Sequence, residues 1–173
     1  MKSFTTLLSL GFVASVASAL PSPQGDPTPA TPAKYRLSHN PVYDNRSMEI
    51  GRLACGGGEN GLVTKGYRTL GDLPFFDNIG AAHPSSYNSL ECGSCWNLTY
   101  KGNWAYIIAV DNASDEDLFV ISDEANKALT RVNGRNEGIE QDIVDLDSAH
   151  EVDRACCGFN TGTQCPTALN NDG

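Results

Sequence analysis

The sequence has little positive charge. Among its 173 residues, 12 lysines and arginines stand against 21 aspartates and glutamates, which gives a formal net charge of -9. Nucleic acids and anionic membrane surfaces bind proteins through basic patches. The charge balance therefore argues against both as partners, and the scattered acidic side chains are typical of a soluble surface.

The sequence also lacks the residue spacings of metal and nucleotide sites. The three histidines, His39, His83 and His150, are far apart and show no ligand spacing. The triple glycine Gly56–Gly58 is not followed by Gly-Lys-Ser/Thr or by a helical pattern. It predicts a turn rather than a phosphate-binding loop. We expect neither a metal ion nor a cofactor.

Hydrophobic runs of membrane length are missing as well. The apolar run Leu7–Val16 follows a basic start and precedes the small-residue site Ala17–Ala19. This pattern predicts a signal peptide over residues 1–19 and a mature chain that begins at Leu20. About 150 residues then remain, enough for one domain. Residues 20–34 are rich in proline and have no apolar periodicity, so we expect a disordered arm.

The six cysteines include one Cys-x-x-Cys pair, Cys92 and Cys95. Such a pair can be a redox dithiol, half of a zinc site or two half-cystines. A redox pair opens a helix, whereas the residues that follow here, 96–100, are strand formers. A zinc site would need a second pair, and the chain has none. In a secreted chain, an even number of cysteines indicates disulfides.

The hydrophobic pattern predicts many short strands and one helix. The run Trp104–Val110 reads as a central strand buried on both faces. Ser122 is predicted to cap a helix that ends at Gly134. The other predicted strands are Tyr35–Tyr43 interrupted at Pro41, Met48–Cys55, Leu62–Val63, Phe119–Ile121, Ile143–Leu146 and Ala149–Ala155. Residues 78–91 are predicted to form a loop. This mixture favours a small β-barrel.

Three sequons indicate N-linked glycosylation. They begin at Asn45, Asn97 and Asn112. A single sequon is common by chance, but three in a secreted chain predict at least one glycan.

Four segments, in order along the chain, resemble the cerato-platanins, a family of small secreted proteins of filamentous fungi. The segments are Ala54–Leu62, Tyr67–Pro74, Cys92–Leu98 and Val110–Asp111. The ending Val152–Gly158 fits the terminal cysteine of the family. The resemblance covers Tyr35 to Phe159, and the residues beyond it, 160–173, form a C-terminal tail.

The resemblance implies a fold and a function. The fold is mainly β with small helices, a six-stranded double-psi β-barrel stabilised by disulfides. The implied function is non-enzymatic: binding of chitin oligomers or other cell-wall polysaccharide, loosening of that polysaccharide without hydrolysis, and elicitation of plant defences. We expect a monomer in the medium or the fungal cell wall, with a host receptor as a second partner.

The resemblance also implies the disulfide map, because Cys157-Gly158 aligns with the terminal Cys-Gly of the family. The implied pairs are Cys55–Cys92, Cys95–Cys157 and Cys156–Cys165. The last pair uses the two cysteines that exceed the family's four. On a strand, Cys156 and Cys157 would point to opposite faces and so bond in different directions.

Sugar binding uses aromatic faces together with carboxylate and amide hydrogen bonds in a shallow groove. The candidates here are Tyr43, Asp44, Tyr87, Asp111 and Asn112. Asp111 carries the resemblance directly, and Tyr87 stands where the family often has tryptophan. Packing is an equal alternative for the tyrosines, as is a turn for Asp111.

A glycoside hydrolase on the same barrel is one alternative. It needs two carboxylates roughly 5 to 9 Å apart. Asp111 would be the acid, but this chain has His39-Asn40 where the family usually shows Tyr-Asp. Asn40 is not a base, so Asp44, four residues on along the predicted strand, is the nearby substitute. A second alternative is a protein ligand for a host receptor without carbohydrate affinity.

Overall fold

The computed structural model describes residues 35–162 and Cys165. The predicted signal peptide, the predicted proline-rich arm and most of the predicted tail lie outside the described residues. The strands of the described chain are β1 (Arg36–His39), β2 (Ile79–Ala81), β3 (Cys95–Tyr100), β4 (Asn103–Asp111), β5 (Leu118–Ile121), β6 (Arg131–Val132), β7 (Arg135–Asn136), β8 (Val144–Asp145) and β9 (Ser148–Val152). Its α-helices are α1 (Asp123–Leu129) and α2 (Glu137–Glu140). Across this part of the chain, no helix has the length and apolar character to cross a membrane.

The main sheet has seven strands in the order β8-β1-β5-β2-β4-β3-β9. β1 pairs with β5 and β2 with β4 in parallel, and the other neighbours are antiparallel. β8 and β9 are at opposite edges, yet only residues 146 and 147 separate them. Because three Cα–Cα steps span at most about 11 Å, the sheet must curl enough to bring the end of β8 within that distance of the start of β9.

Backbone hydrogen bonds at this corner support the curl. The amide of Leu146 donates to Tyr35 O at 2.8 Å beside β1, and the amide of Asp147 donates to Thr99 O of β3 at 2.9 Å. The predicted mainly β fold with small helices is therefore confirmed as a curled half-barrel. The six-strand count differs from the seven strands of the main sheet, and the double-psi crossing stays a prediction.

Strand β4 is buried on both faces near its end, as predicted. Ile107 and Ala109 pack into one apolar cluster, Ile108 and Val110 into another, and none of the four is more than 1% exposed. Alternate residues of a strand point to opposite faces, so β4 needs a cover on each side. Burial of apolar side chains on both faces is strongly favourable for folding.

The two covers differ in kind. On one face lie Leu37, Phe119 and the α1 residues Ala125 and Leu129. The other face is covered by residues 41–73, which form turns and three 3-10 helices, Pro41–Asp44, Ile50–Arg52 and Leu70–Asp72. Buried side chains from this segment include Tyr43, Ile50, Leu62 and Leu70. The first half of the domain therefore contributes a core with little regular structure.

The predicted strands Met48–Cys55 and Leu62–Val63 are wrong. Residues 50–52 form a 3-10 helix, residues 62 and 63 lie in a turn, and the first stretch keeps one isolated bridge, Glu49 to Thr69. The amide of Leu53 donates to Ile50 O at 2.9 Å. Ile50 and Leu53 are three residues apart, which matches the three-residue repeat of a 3-10 helix. The same spacing also fits a strand with a bulge, so the sequence pattern did not distinguish the two.

The predicted loop 78–91 contains a central strand. β2 lies between β4 and β5, and all three of its residues are buried. A Cβ on Gly80 would lie 2.4 Å from Val120 O and 2.7 Å from Ile121 Cα. Only glycine allows β5 to approach this closely. The strand Ile79-Gly80-Ala81 is too short to show a periodicity of apolar residues, so its pattern resembles a loop.

Helix α1 begins as predicted. Ser122 Oγ accepts a hydrogen bond from the amide of Ala125 at 3.1 Å, which caps the helix. Its predicted end at Gly134 is wrong, because α1 stops at Leu129. Asn133 and Gly134, with φ of 51° and 82°, instead form the tight turn between β6 and β7.

Two disulfides fasten the 41–73 cover and the C-terminal segment to the start of β3 and the turn before it, and a third closes a short loop within the C-terminal segment. The three pairs are Cys55–Cys92, Cys95–Cys157 and Cys156–Cys165, with sequence separations of 37, 62 and 9 residues. These are the pairs that the resemblance implies. Cys156 and Cys157 lie in a 3-10 helix, Arg154–Cys157, rather than on a strand. The helical turn still directs their sulfur atoms to different partners.

We predict that the two kinds of disulfide differ in their effect on stability. The chain-entropy model assigns about 4 kcal/mol to each long loop and about 2.5 kcal/mol to the short loop. The pair Cys55→Ser/Cys92→Ser should therefore lower the free energy of unfolding more than Cys156→Ser/Cys165→Ser does. Guanidinium unfolding followed by circular dichroism would measure both, and equal losses would contradict the prediction. Neither double variant leaves an unpaired thiol.

Candidate functional site

Asp111 is the last residue of β4, and the protein holds its carboxylate in place. One oxygen, Oδ1, accepts hydrogen bonds from the backbone amides of Ala54 and Asn112, each at 2.9 Å. The other, Oδ2, accepts from the hydroxyl of Tyr43 at 3.1 Å. The side chain is half-buried. Three donors from separate parts of the chain thus fix the position of one carboxylate.

Tyr43 has a different role from the expected one. Its ring is 5% exposed and packs in the core, so it offers no face for a sugar ring. Burial, together with the negative charge and hydrogen bond of Asp111, raises the pKa of the Tyr43 hydroxyl. The hydroxyl therefore stays protonated and donates to Asp111. Tyr43 positions the carboxylate instead of contacting a ligand.

Asp44 is also engaged elsewhere. It ends the 3-10 helix Pro41–Asp44, so the predicted strand does not reach it. Its two carboxylate oxygens accept hydrogen bonds from the amides of Asp123 at 2.9 Å and Glu124 at 3.1 Å. These amides open α1, where a negative charge is favourable. Asp44 therefore caps a helix, which corrects its expected place beside Asp111 on one strand face.

The first-strand position His39-Asn40 has structural partners as well. His39 Nδ1 lies 2.7 Å from Asp123 Oδ1. Asn40 Oδ1 accepts a hydrogen bond from the amide of Val42 at 3.0 Å. Both side chains help to hold the 3-10 helix and α1 against the end of β1. Neither is a carboxylate, so this position does not provide a second acid for Asp111.

Tyr87 and Asn112 are on the surface. Tyr87 is 70% exposed, and its ring lies against Gly57, where a Cβ would be 2.8 Å from the ring atom Cε2. Gly57 is three residues from Ala54, whose amide bonds to Asp111. Because three Cα–Cα steps span at most about 11 Å, the glycine against which Tyr87 lies is within that distance of the residue whose amide holds Asp111. We call residues 54–57, Tyr87, Asp111 and Asn112 the Asp111 surface.

The Asp111 surface combines an open aromatic ring, a fixed carboxylate and an exposed side-chain amide. Such groups can stack on a sugar ring and exchange hydrogen bonds with its hydroxyls. Sequence reasoning missed the backbone amide of Ala54 and the glycine under Tyr87. The triple glycine was the available signal in the sequence, because a backbone that another group approaches closely needs residues without side chains. Within residues 35–162, no cluster of His, Cys, Asp or Glu could hold a metal ion.

The sequons occupy different surroundings. Asn45 and Asn112 are exposed, whereas Asn97 is half-buried on β3 opposite Tyr106 of β4. The side-chain oxygen of Asn97 is buried and has no hydrogen-bond partner in the described chain. Glycosylation at these positions stays a prediction.

The sequence of this chain matches the Cerato-platanin family model over residues 35–159. The chain belongs to the cerato-platanin family. It is 30% identical over 153 residues to the heat-stable 19 kDa antigen of Coccidioides posadasii, an alignment that covers 88% of this chain and 99% of the antigen. The resemblance of the four sequence segments is thereby confirmed.

Solved structures of family members have folds similar to that of this chain. The crystal structure of cerato-platanin 1 from M. perniciosa has a TM-score of 0.62 and 37% identity, and the match covers 70% of this chain and 98% of that one. The solution structure of the fungal elicitor cerato-platanin has a TM-score of 0.58 and 29% identity, with 70% and 95% covered. Both support the half-barrel described above.

We predict that Asp44→Ala destabilises the protein by about 1 to 2 kcal/mol, because two amides at the start of α1 lose their acceptor. Thermal or guanidinium unfolding would measure the change. Glu116→Ala is the matched control, since it removes an exposed carboxylate for which the structure gives no hydrogen bond. Equal stability of the two variants would show that Asp44 is not a cap.

Proposed function

We propose that this cerato-platanin is a secreted, non-catalytic protein that binds chitin oligomers or another cell-wall polysaccharide at the Asp111 surface. The observation that carries the proposal is that the carboxylate of Asp111 is fixed by the amide of Ala54, three residues from the glycine against which the 70% exposed ring of Tyr87 lies. A carboxylate already held by the protein loses little conformational entropy when a sugar hydroxyl donates to it. An open, shallow surface of this kind suits a long polymer better than a buried pocket does.

The arrangement of carboxylates favours binding over hydrolysis. Glycoside hydrolysis requires a second carboxylate across the scissile bond. The residue at the first-strand position is Asn40, and Asp44 gives both oxygens to the amides of α1. Because neither candidate position supplies a free second carboxylate, we expect polysaccharide to be bound and loosened but not cut.

Recognition by a host is the second part of the proposal. A solved relative is described as a fungal elicitor, and a curated relative as a heat-stable antigen. Both descriptions concern proteins that a host detects. We infer that this chain acts outside the fungal cell, in the medium or the cell wall, where it elicits host defences, with a host receptor as its protein partner.

We predict that soluble chitin oligomers bind weakly and that binding depends on the Asp111 surface. Tyr87→Ala should weaken binding about tenfold, which is about 1.4 kcal/mol, because it removes the stacking ring. Asp111→Ala should weaken it comparably, whereas Tyr87→Phe should keep most of the affinity. Isothermal titration or amide chemical shifts would measure the constants, with Glu116→Ala as the control for lost charge.

Three results would contradict the proposal. Release of reducing sugar by the pure protein would establish a hydrolase, and absence of any affinity would favour a pure protein ligand. Full occupancy of a glycan on Asn112 would also count against this site, since the glycan would crowd Asp111.

A further inference from the structure

A cavity away from the Asp111 surface combines positive charge with an apolar floor. It has a volume of about 200 Å³ and lies between the loop 62–67, the turn at Cys92-Gly93 and the C-terminal segment from Arg154 to Thr161. This volume suits one small ring compound. It is smaller than the pockets that bind drug-sized ligands. The turn Cys92–Cys95, which lines the cavity, leads directly into β3.

The floor of the cavity is apolar and aromatic. Leu62 is fully buried, and the rings of Tyr67 and Phe159 meet edge to face with centroids 5.7 Å apart. Gly93, with φ of 80°, lies next to Leu62 and Phe159. A Cβ there would lie 3.0 Å from Leu62 Cδ2 and 3.8 Å from Phe159 Cζ. The lack of a side chain at Gly93 thus keeps the floor open.

Two cations line the cavity, and each is tethered by a backbone carbonyl. Lys65 Nζ donates to Cys92 O at 2.9 Å, and an Nη2 of Arg154 donates to Leu90 O at 2.6 Å. The two acceptors are two residues apart, so the cations are held near each other. An ammonium has three N–H donors and a guanidinium five, so each keeps further donors for a ligand.

In the part of the chain that the structure describes, neither cation forms a close ion pair with a carboxylate. The ion pairs found there use Arg36, Arg52, Lys101, Lys127, Arg135 and His39, not Lys65 or Arg154. Burial and the positive charge of Arg154 lower the pKa of Lys65. Glu151 interacts electrostatically with Arg154 but forms no ion pair with it. In a chain of net charge -9, two cations thus line one apolar cavity.

We propose that this cavity, hereafter the Lys65–Arg154 cavity, binds the carboxylate of a hexuronic acid, the acidic sugar unit of many polysaccharides. The carboxylate accepts hydrogen bonds from both cations, which relieves their mutual repulsion. The apolar C–H face of the sugar ring packs on the half-buried rings of Tyr67 and Phe159. This site is separate from the Asp111 surface and does not depend on chitin binding there.

The test is a titration of the intact mature protein with sodium galacturonate and sodium glucuronate. Amide chemical shifts of Gly93 and Thr161 report on the cavity. Methyl glucoside serves as the neutral ring, and sodium acetate as the carboxylate without a ring. A hexuronate should bind with a Kd of roughly millimolar strength, tighter than acetate by about fivefold and tighter than the glucoside by about tenfold.

Variants separate the proposed contacts from general charge. Lys65→Gln keeps a donor for Cys92 O but removes the charge, and it should weaken hexuronate binding about tenfold. Lys127→Gln is the matched control, because it removes the same charge on α1, where Lys127 pairs with Glu124. Its affinity for hexuronate should equal that of the wild type. Folding of each variant is checked by the melting temperature and by the shifts of remote amides.

Each alternative result would overturn the proposal. Equal affinity for acetate would show that the apolar floor does not recognise a ring. Equal affinity for methyl glucoside, or an unchanged Kd in a folded Lys65→Gln variant, would show that the cations do not bind the carboxylate. Absence of shifts at Gly93 and Thr161 would exclude the cavity itself.

Discussion

The fold depends on the burial of β4 on both faces. The four side chains from Ile107 to Val110 alternate between two apolar clusters, so both clusters must be in place before this strand is stable. On one side, the curl of the sheet and helix α1 supply the cover. On the other, the cover is residues 41–73, a segment of turns and 3-10 helices. Such short helices have poor hydrogen-bond geometry and little stability of their own.

Covalent links compensate for this weak cover. Cys55 bonds to Cys92 and Cys157 bonds to Cys95, so both links meet at the turn that opens β3. Loop closure by a disulfide restricts the unfolded chain and thereby stabilises the folded one. The same turn carries Gly93 at the Lys65–Arg154 cavity. One hexapeptide, Glu91–Trp96, thus contributes to the core, to the disulfides and to that cavity.

The site was predictable in part. The sequence pattern and the family resemblance together place Asp111 directly after a buried strand, and the structure finds it at the end of β4. Tyr43 and Asp44 were expected to meet a ligand because they are an aromatic and an acid near the first strand. Their actual partners, Asp111 and the amides of α1, are 68 and 79 residues away. Local sequence carries no information about contacts at that distance.

The amino-acid sequence by itself determined the features that depend on local chemistry. These include the buried run of β4, the cap of α1 at Ser122 and, with the family resemblance, the mainly β class of the fold. Only the tertiary structure decided which backbones approach each other. β2 is central because Gly80 lets β5 come close, and the ring of Tyr87 lies against the backbone of Gly57 because that residue has no side chain. Such contacts are set by packing between distant segments, which hydrophobic periodicity does not encode.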